Sequence, residues 1–373
     1  MKAVFWSASG LIAYAYIGYP CWLWLRRLWW SRPVRASEYT PTISLVMVVR
    51  NETANLERKL RNLFSLDYPE QLSELVIVSD GSTDETNDLL RRHENRPRFR
   101  VILSPESRGK AAGLNDAVAA AHGELIVFTD ARQKVEAGAL RELARHFADP
   151  EVGCASGELM IGDPETGETA QGVGLYWRIE KEIREMESAC RSVAGATGAL
   201  YAARRNLVPQ LPPGTILDDV YIPMHVVRQG FRVVFAPEAR AWDAPGTGMR
   251  WEFSRKVRTL AGNYQLVQLA PWLLTGANPI RFEFISHKLT RLLVPFALGA
   301  VFLSSLLLTQ PVYRAALVLQ LGFYALGLLS IARLKLGPLG RAADAIRTFL
   351  VLNMAALMAF FSFITRRRVA WGR

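Results

Sequence analysis

Apolar runs of two lengths alternate with polar segments along this 373-residue chain. Ala3 to Leu25, Leu292 to Tyr313, Ala315 to Ala332 and Thr348 to Thr365 contain no charged residue. The first is long enough to cross a hydrocarbon core about 30 Å thick, and the other three read as further crossings. A secretory signal peptide is the competing reading of the first run. Against it stand the run's length, the lack of a small-residue cleavage site, and Trp22, Trp24, Trp29 and Trp30 beside Arg26 and Arg27. Buried helices of a soluble domain are the alternative for the two shorter runs.

Between the long runs the apolar stretches are short and end in polar residues, the pattern of buried parallel strands whose carboxyl ends open on a crevice. Strands are predicted at Thr42 to Val49, Val76 to Val78, Phe99 to Leu103 and Leu125 to Thr129. Leu56, Leu60, Leu63 and Phe64 share one face of a predicted helix over Asn55 to Ser65. Further helices are predicted over Thr83 to His93, with capping residues at Ser82 to Glu85, and over Lys110 to Ala121 and Ala137 to Phe147. Strand and helix alternate as in βαβ units. The fold class is therefore α/β, a mostly parallel nucleotide-binding sheet up to about residue 150 flanked by transmembrane helices.

Further on, a strand is predicted at Ala155 to Ile161 and a helix at Gly174 to Ser188, whose Glu, Arg and Lys residues form a mostly solvated face. The small residues of Ala194 to Ala203 suit either a closely approaching ligand or tight strand packing. Trp251 to Trp272 mixes Arg255, Lys256 and Arg258 with Leu260, Tyr264, Leu266 and Val267, the composition of a helix in the membrane interface. The expected organisation is an anchor over 1–30, an α/β domain over 42–250, an interfacial segment over 251–285 and membrane helices over 286–366.

Half of the residues are apolar and the net charge is +11. Much of that charge flanks the long runs, so anionic lipid headgroups account for it better than nucleic acid, for which no motif exists. Arg26, Arg27, Arg32 and Arg35 follow the first run and only Lys2 precedes it, which assigns the middle domain to the cytoplasm. Lys288, Arg291, Arg333, Lys335, Arg341 and Arg347 agree. Arg366, Arg367 and Arg368 do not, because four crossings put them outside; one assigned crossing is then interfacial or re-entrant, and the sequence does not say which. Cys21, Cys154 and Cys190 lack disulfide or zinc spacing, and the five His residues form no ligand pattern.

Candidate chemistry sits at the strand ends. Asn51 and Glu52 close the first strand, where polar groups meet a base or ribose. Asp80 closes the second, and Gly81 permits a tight turn that leaves its carboxylate at the crevice as a nucleotide-binding group, whereas Asp84 reads as structural. Lys110 opens a helix and is a candidate partner for a diphosphate, although no P-loop motif occurs. Asp130 closes the fourth strand and is placed to bring magnesium or manganese to that diphosphate.

These motifs resemble the family 2 glycosyltransferases of GT-A fold, particularly the membrane-embedded branch with cellulose, hyaluronan and poly-N-acetylglucosamine synthases, over about residues 42–262. The resemblance implies that Asn51, Glu52 and Asp80 lie at the donor nucleotide and that Asp130 begins an Asp-x-Asp metal motif. Position 132 departs from it: Arg132 either faces the diphosphate or is salt-bridged at the surface. Leu217-Asp218-Asp219 resembles the family's Thr-Glu-Asp, which implies that Asp219 is the general base for an inverting transfer. Asp218 is expected to support it, since neighbours on an extended segment point opposite ways. Arg255-Lys256-Val257-Arg258-Thr259 stands where processive synthases carry Gln-x-x-Arg-Trp. Arg258 matches and is expected to clamp the diphosphate, with Arg255 in support. The missing Trp weakens the case for elongation. Gly195 to Ala199 resembles the acceptor-side glycine-rich segment.

The expected protein is an integral enzyme of the bacterial plasma membrane. It moves a hexosyl or N-acetylhexosaminyl group from a nucleotide-sugar donor, UDP-linked by resemblance, to a growing polysaccharide or lipid-linked acceptor. Single addition to a lipid carrier is an open alternative to processive synthesis. A transporter with a nucleotide-sensing domain is the rival class, and the charge-free cores of the long runs count against it.

Overall fold

The computed structural model describes residues 1–162, 174–244, 249–331 and 340–365. Its eight strands are β1 Ile43–Val49, β2 Ser73–Asp80, β3 Phe99–Ser104, β4 Leu125–Thr129, β5 Lys134–Val135, β6 Val152–Ile161, β7 Leu200–Arg204 and β8 Arg232–Asp243. They form one sheet in the order β3-β2-β1-β4-β7-β6-β8-β5. The first four strands are parallel, and strand order reverses between β1 and β4, which opens a crevice at their carboxyl ends. β7 is inserted antiparallel between β4 and β6.

Alternation along the strands builds two cores. Val46, Val48, Val76, Val78, Ile126 and Phe128 pack with Ala111, Leu114 and Ala117 of the helix Lys110–Ala120. Leu45, Met47, Val49, Ile77 and Val127 pack on the opposite face with Leu56, Leu60 and Leu63 of the helix Thr53–Phe64. Each such buried aliphatic side chain contributes about 1.5–3 kcal/mol, so the sheet is fixed with both faces covered.

The helix Gly174–Cys190 corrects an expectation, because Arg178 and Glu182 are exposed but most of its other charges are drawn into the protein. Glu187 is only 1% exposed. The cause is the last part of the N-terminal helical segment (Lys2–Ala13, Tyr14–Gly18, Tyr19–Trp29): Tyr19–Trp29 packs over it through Tyr19 and Leu23. Tyr19 donates to Glu187, His287 bridges Glu187 at 2.8 Å and Glu180 at 2.9 Å, and Arg291 pairs with Glu180 at 2.7 Å.

The helix Asp218–Arg228 and strand β8 are among the elements not expected from the sequence. Asp218 and Asp219 therefore stand in the first turn of a helix, not on an extended segment.

Among the described residues, Arg281–Leu307, Pro311–Ser330 and Ala342–Ile364 are long and apolar enough to cross a membrane. The turn between the first two falls at residues 308–310 instead of Arg314, because Pro311 opens the second helix, where its missing N–H costs nothing. The third starts at Gly340, earlier than expected, and includes Asp344 and Arg347. The N-terminal segment is helical but is not one of the three, its Trp, Tyr and Gly residues lowering its hydropathy. The helix Met249–Leu269 packs through Val257 and Ala261 on Ala355 and Ala359 of the helix Gly340–Ile364. Arg333, Lys335 and Arg366 to Arg368 lie outside the described residues.

Candidate active site

Three acids and one ammonium meet at the carboxyl end of β4. Lys110 Nζ lies 3.0 Å from Asp130 Oδ1 and 3.1 Å from Asp218 Oδ1. An ammonium at a helix amino terminus opposes the helix dipole, so this placement depends on the two carboxylates. Burial works against the Lys110 charge, but Asp130, Asp218 and Asp219 outweigh it and hold the ammonium well above its usual range.

Asp219 Oδ2 accepts a hydrogen bond from the Gly198 amide at 3.0 Å, and its own carbonyl accepts one from Ala196 at 2.7 Å. Gly198 stands between the acids: an added Cβ would come within 3.2 Å of Asp219 Oδ2 and 3.7 Å of Asp130 Oδ2. Burial, then the charge of Asp218, push the Asp219 carboxyl up to about 7, while Lys110 and Lys288 restrain the rise. A carboxyl that ionises near neutrality is poised for proton transfer.

The loop behind this site is held by Asp80. Its carboxylate accepts from Arg108 N at 2.7 Å, Gly109 N at 2.9 Å and Ser107 Oγ at 2.7 Å, and the residue is fully buried. The carboxylate expected from the sequence to meet a nucleotide is turned to this loop in the structure. Its hydrogen bonds fix the approach to Lys110 instead. Gly81 makes room for them: its φ is +61°, and a Cβ there would stand 2.4 Å from the Ser107 nitrogen.

At the end of β1, Asn51 Oδ1 accepts from Thr83 N at 2.8 Å, and Glu52 N donates to Thr86 Oγ1 at 2.9 Å. Both residues remain partly exposed beside the crevice. Asp84 is structural as expected: burial opposes its ionisation, but hydrogen bonds from Thr53 and Thr86 bring its carboxyl down to about 2.

Arg132 pairs with Asp243 at the end of β8, and Arg255 Nη1 lies 3.7 Å from the same carboxylate. Of the two alternatives open for Arg132, the salt bridge is therefore present, with a buried carboxylate as partner. Arg258 lies one turn beyond Arg255, half-exposed on a helix whose Gly262 abuts Leu217 just before the two acids. Among the described residues no group of three His, Cys, Asp or Glu is arranged as a metal cage.

Sequence reasoning missed several supports. Lys59 is 2% exposed and donates to Thr129 Oγ1 and to the Gln133 carbonyl, bracing the strand end that carries Asp130. Burial pulls its ammonium down to about 7, against the pull of Asp130. Arg184 donates to Ser156 Oγ, which accepts from Thr197 N and so steadies the loop that holds Asp219. Asp243 gave no signal because its strand was not recognised.

Residues 44–211 match the family model for glycosyl transferase family 2. A β-monoglucosyldiacylglycerol synthase of Synechocystis is 25% identical over 299 residues, 77% of this chain and 61% of its own length. An N-acetylglucosaminyltransferase of Rhizobium meliloti is 23% identical, over 68% of this chain and 63% of its own. A poly-β-1,6-N-acetyl-D-glucosamine synthase of Staphylococcus aureus is 23% identical, over 60% and 55%. The chain thus spans less than two thirds of these relatives. A mannosyltransferase of Pyrobaculum calidifontis, solved with GDP-mannose and Mn2+, superposes with a TM-score of 0.73 at 24% identity, over 98% of this chain and all of that one. That likeness shows the fold, a GT-A sheet with its helices. Residues 44–211 are thus similar to the family 2 glycosyl transferase domain, carried on a sheet of GT-A fold.

Proposed function

We propose that this enzyme transfers a sugar, with inversion, from a nucleoside diphosphate sugar to a hydroxyl of a glycan or lipid-borne acceptor at the cytoplasmic membrane face. The observation that carries the reading is the convergence of Asp130, Asp218, Asp219 and Lys110 on one crevice. Asp219 takes the proton of the acceptor hydroxyl as that oxygen bonds to the anomeric carbon, and the bond from that carbon to the diphosphate breaks on the opposite side. Asp218 anchors Lys110 and raises the proton affinity of Asp219. Lys110 and Arg258 meet the leaving diphosphate with charge-assisted hydrogen bonds. Asn51 and Glu52 line the nucleotide side, with Asp80 as a positioning residue.

A divalent cation fits this crevice in one way. Magnesium is commonly held by one or two carboxylates together with substrate phosphates, and Asp130, 40% exposed in its side chain and beside the open face of Gly198, offers one. Arg132 in place of the second motif acid leaves Asp130 as the protein's contribution. The metal, when bound, would neutralise charge on the departing diphosphate.

Proton NMR of the product tests the reading. An α-linked nucleotide sugar is expected to give a β-linked product. Retention of the α configuration would refute direct displacement with Asp219 as base.

A further inference from the structure

The helix Gly340–Ile364 has the composition of a membrane span, yet its neighbours place both halves at similar depth. On the reading that Arg281–Leu307 and Pro311–Ser330 cross the bilayer, these two helices serve as a depth scale. Near its start, Asp344 Oδ1 accepts a hydrogen bond from Ser330, at the catalytic-side end of the second span. Phe349 touches Phe323 at 5.6 Å, seven residues earlier in that span and so about 10 Å deeper. Phe360 then packs on Phe296 at 4.9 Å. Phe296 is only five residues, about 8 Å, beyond Arg291, whose guanidinium is paired with Glu180 of the catalytic domain.

Counted from the turn that the two spans share, Phe323 and Phe296 lie at nearly the same depth, so from Phe349 to Phe360 the helix covers about 17 Å of axis while its depth changes by about 2 Å. A crossing helix cannot do this. The last two turns confirm the direction, because Tyr264 of the helix Met249–Leu269 stacks on Phe363 at 5.3 Å. That same helix touches the residues before Asp218: Gln265 Oε1 accepts from Ile216 N at 2.9 Å.

We propose that Gly340–Ile364 lies along the leaflet on the catalytic side, with Met354, Met358 and Phe361 turned to the acyl chains, and delivers Thr365 to the same side as Asp219. Those three residues are 53%, 47% and 56% exposed, whereas Ala355 and Ala359, about a quarter turn or more round the helix, are fully buried. The apolar composition follows from this position, since one face meets lipid and the other meets protein. The premise that set Arg366 to Arg368 on the outer face is removed, and the helix reaches the residues before Asp218 through Met249–Leu269.

Single cysteines in a Cys21→Ser background, reacted with a membrane-impermeant maleimide in vesicles of known orientation, test this. Cys154 and Cys190 are buried and can remain. Glu238→Cys marks the catalytic side and Thr309→Cys the turn between the two spans. Thr365→Cys is expected to label from the same side as Glu238→Cys, and Met358→Cys to stay unlabelled from both sides until detergent is added. Labelling of Thr365→Cys together with Thr309→Cys, or of Met358→Cys in intact vesicles, would overturn the proposal. If Glu238→Cys and Thr309→Cys label from one side, the two spans do not cross, and the membrane reading falls together with this inference.

Discussion

Asp219 combines three properties that a proton acceptor needs: a backbone donor that fixes it, a neighbouring acid that raises its proton affinity, and an ammonium that limits the rise. Its carboxyl ionises at about 7, so it is protonated and unable to accept a proton at lower pH. The rate should therefore climb as pH rises through about 7. Removing the Asp218 charge (Asp218→Asn) removes repulsion and should move this limb of the kcat/KM profile to lower pH. Removing the Lys110 charge (Lys110→Met) removes attraction and should move it to higher pH. A limb that stays put in both variants would show that another group controls the rate. The acids at 130 and 219 and the lysine at 110 were legible because each ends a strand or opens a helix in a recognisable motif. The role of Asp80 was not, since sequence does not show that three donors from residues 107–109 close around it.

At the scale of elements, the turn after β2 decides where the helix Lys110–Ala120 begins. Gly81→Ala would force a Cβ into the Ser107 backbone at a left-handed conformation, which costs about 1–3 kcal/mol. The expected result is a lower unfolding temperature and weakened nucleotide binding, because the loop that delivers Lys110 moves with Ser107. Wild-type binding in a folded Gly81→Ala variant would contradict that coupling. The first four strands could be read within a few residues, since short apolar runs closed by polar residues leave little choice. The helix Asp218–Arg228 could not: Val220, Tyr221 and Ile222 favour strands and Pro223 disfavours a helix interior, yet burial of Val220, Ile222, Met224 and Val226 overrides propensity. Likewise, the charged face of Gly174–Cys190 looked solvated because its partners, Tyr19 and His287, lie more than 90 residues away.

Across the whole molecule, ion pairs join the catalytic domain to the helices that follow it, and those helices to the N-terminal one. Glu180 and Glu187 meet His287 and Arg291, and Arg26 meets Glu283. Removing one partner of such a buried set typically costs about 3–5 kcal/mol, so Glu187→Ala should lower the melting temperature markedly in detergent. An unchanged melt would mean that the seam contributes little. The same seam fixes the crevice relative to the apolar helices that follow it, the arrangement that the proposed transfer to a membrane-borne acceptor requires. The most direct measurement is turnover and nucleotide binding of Asp219→Asn in the same preparation. Transfer should fall to background while UDP or GDP binds as it does to wild type; turnover at the wild-type rate would contradict the account.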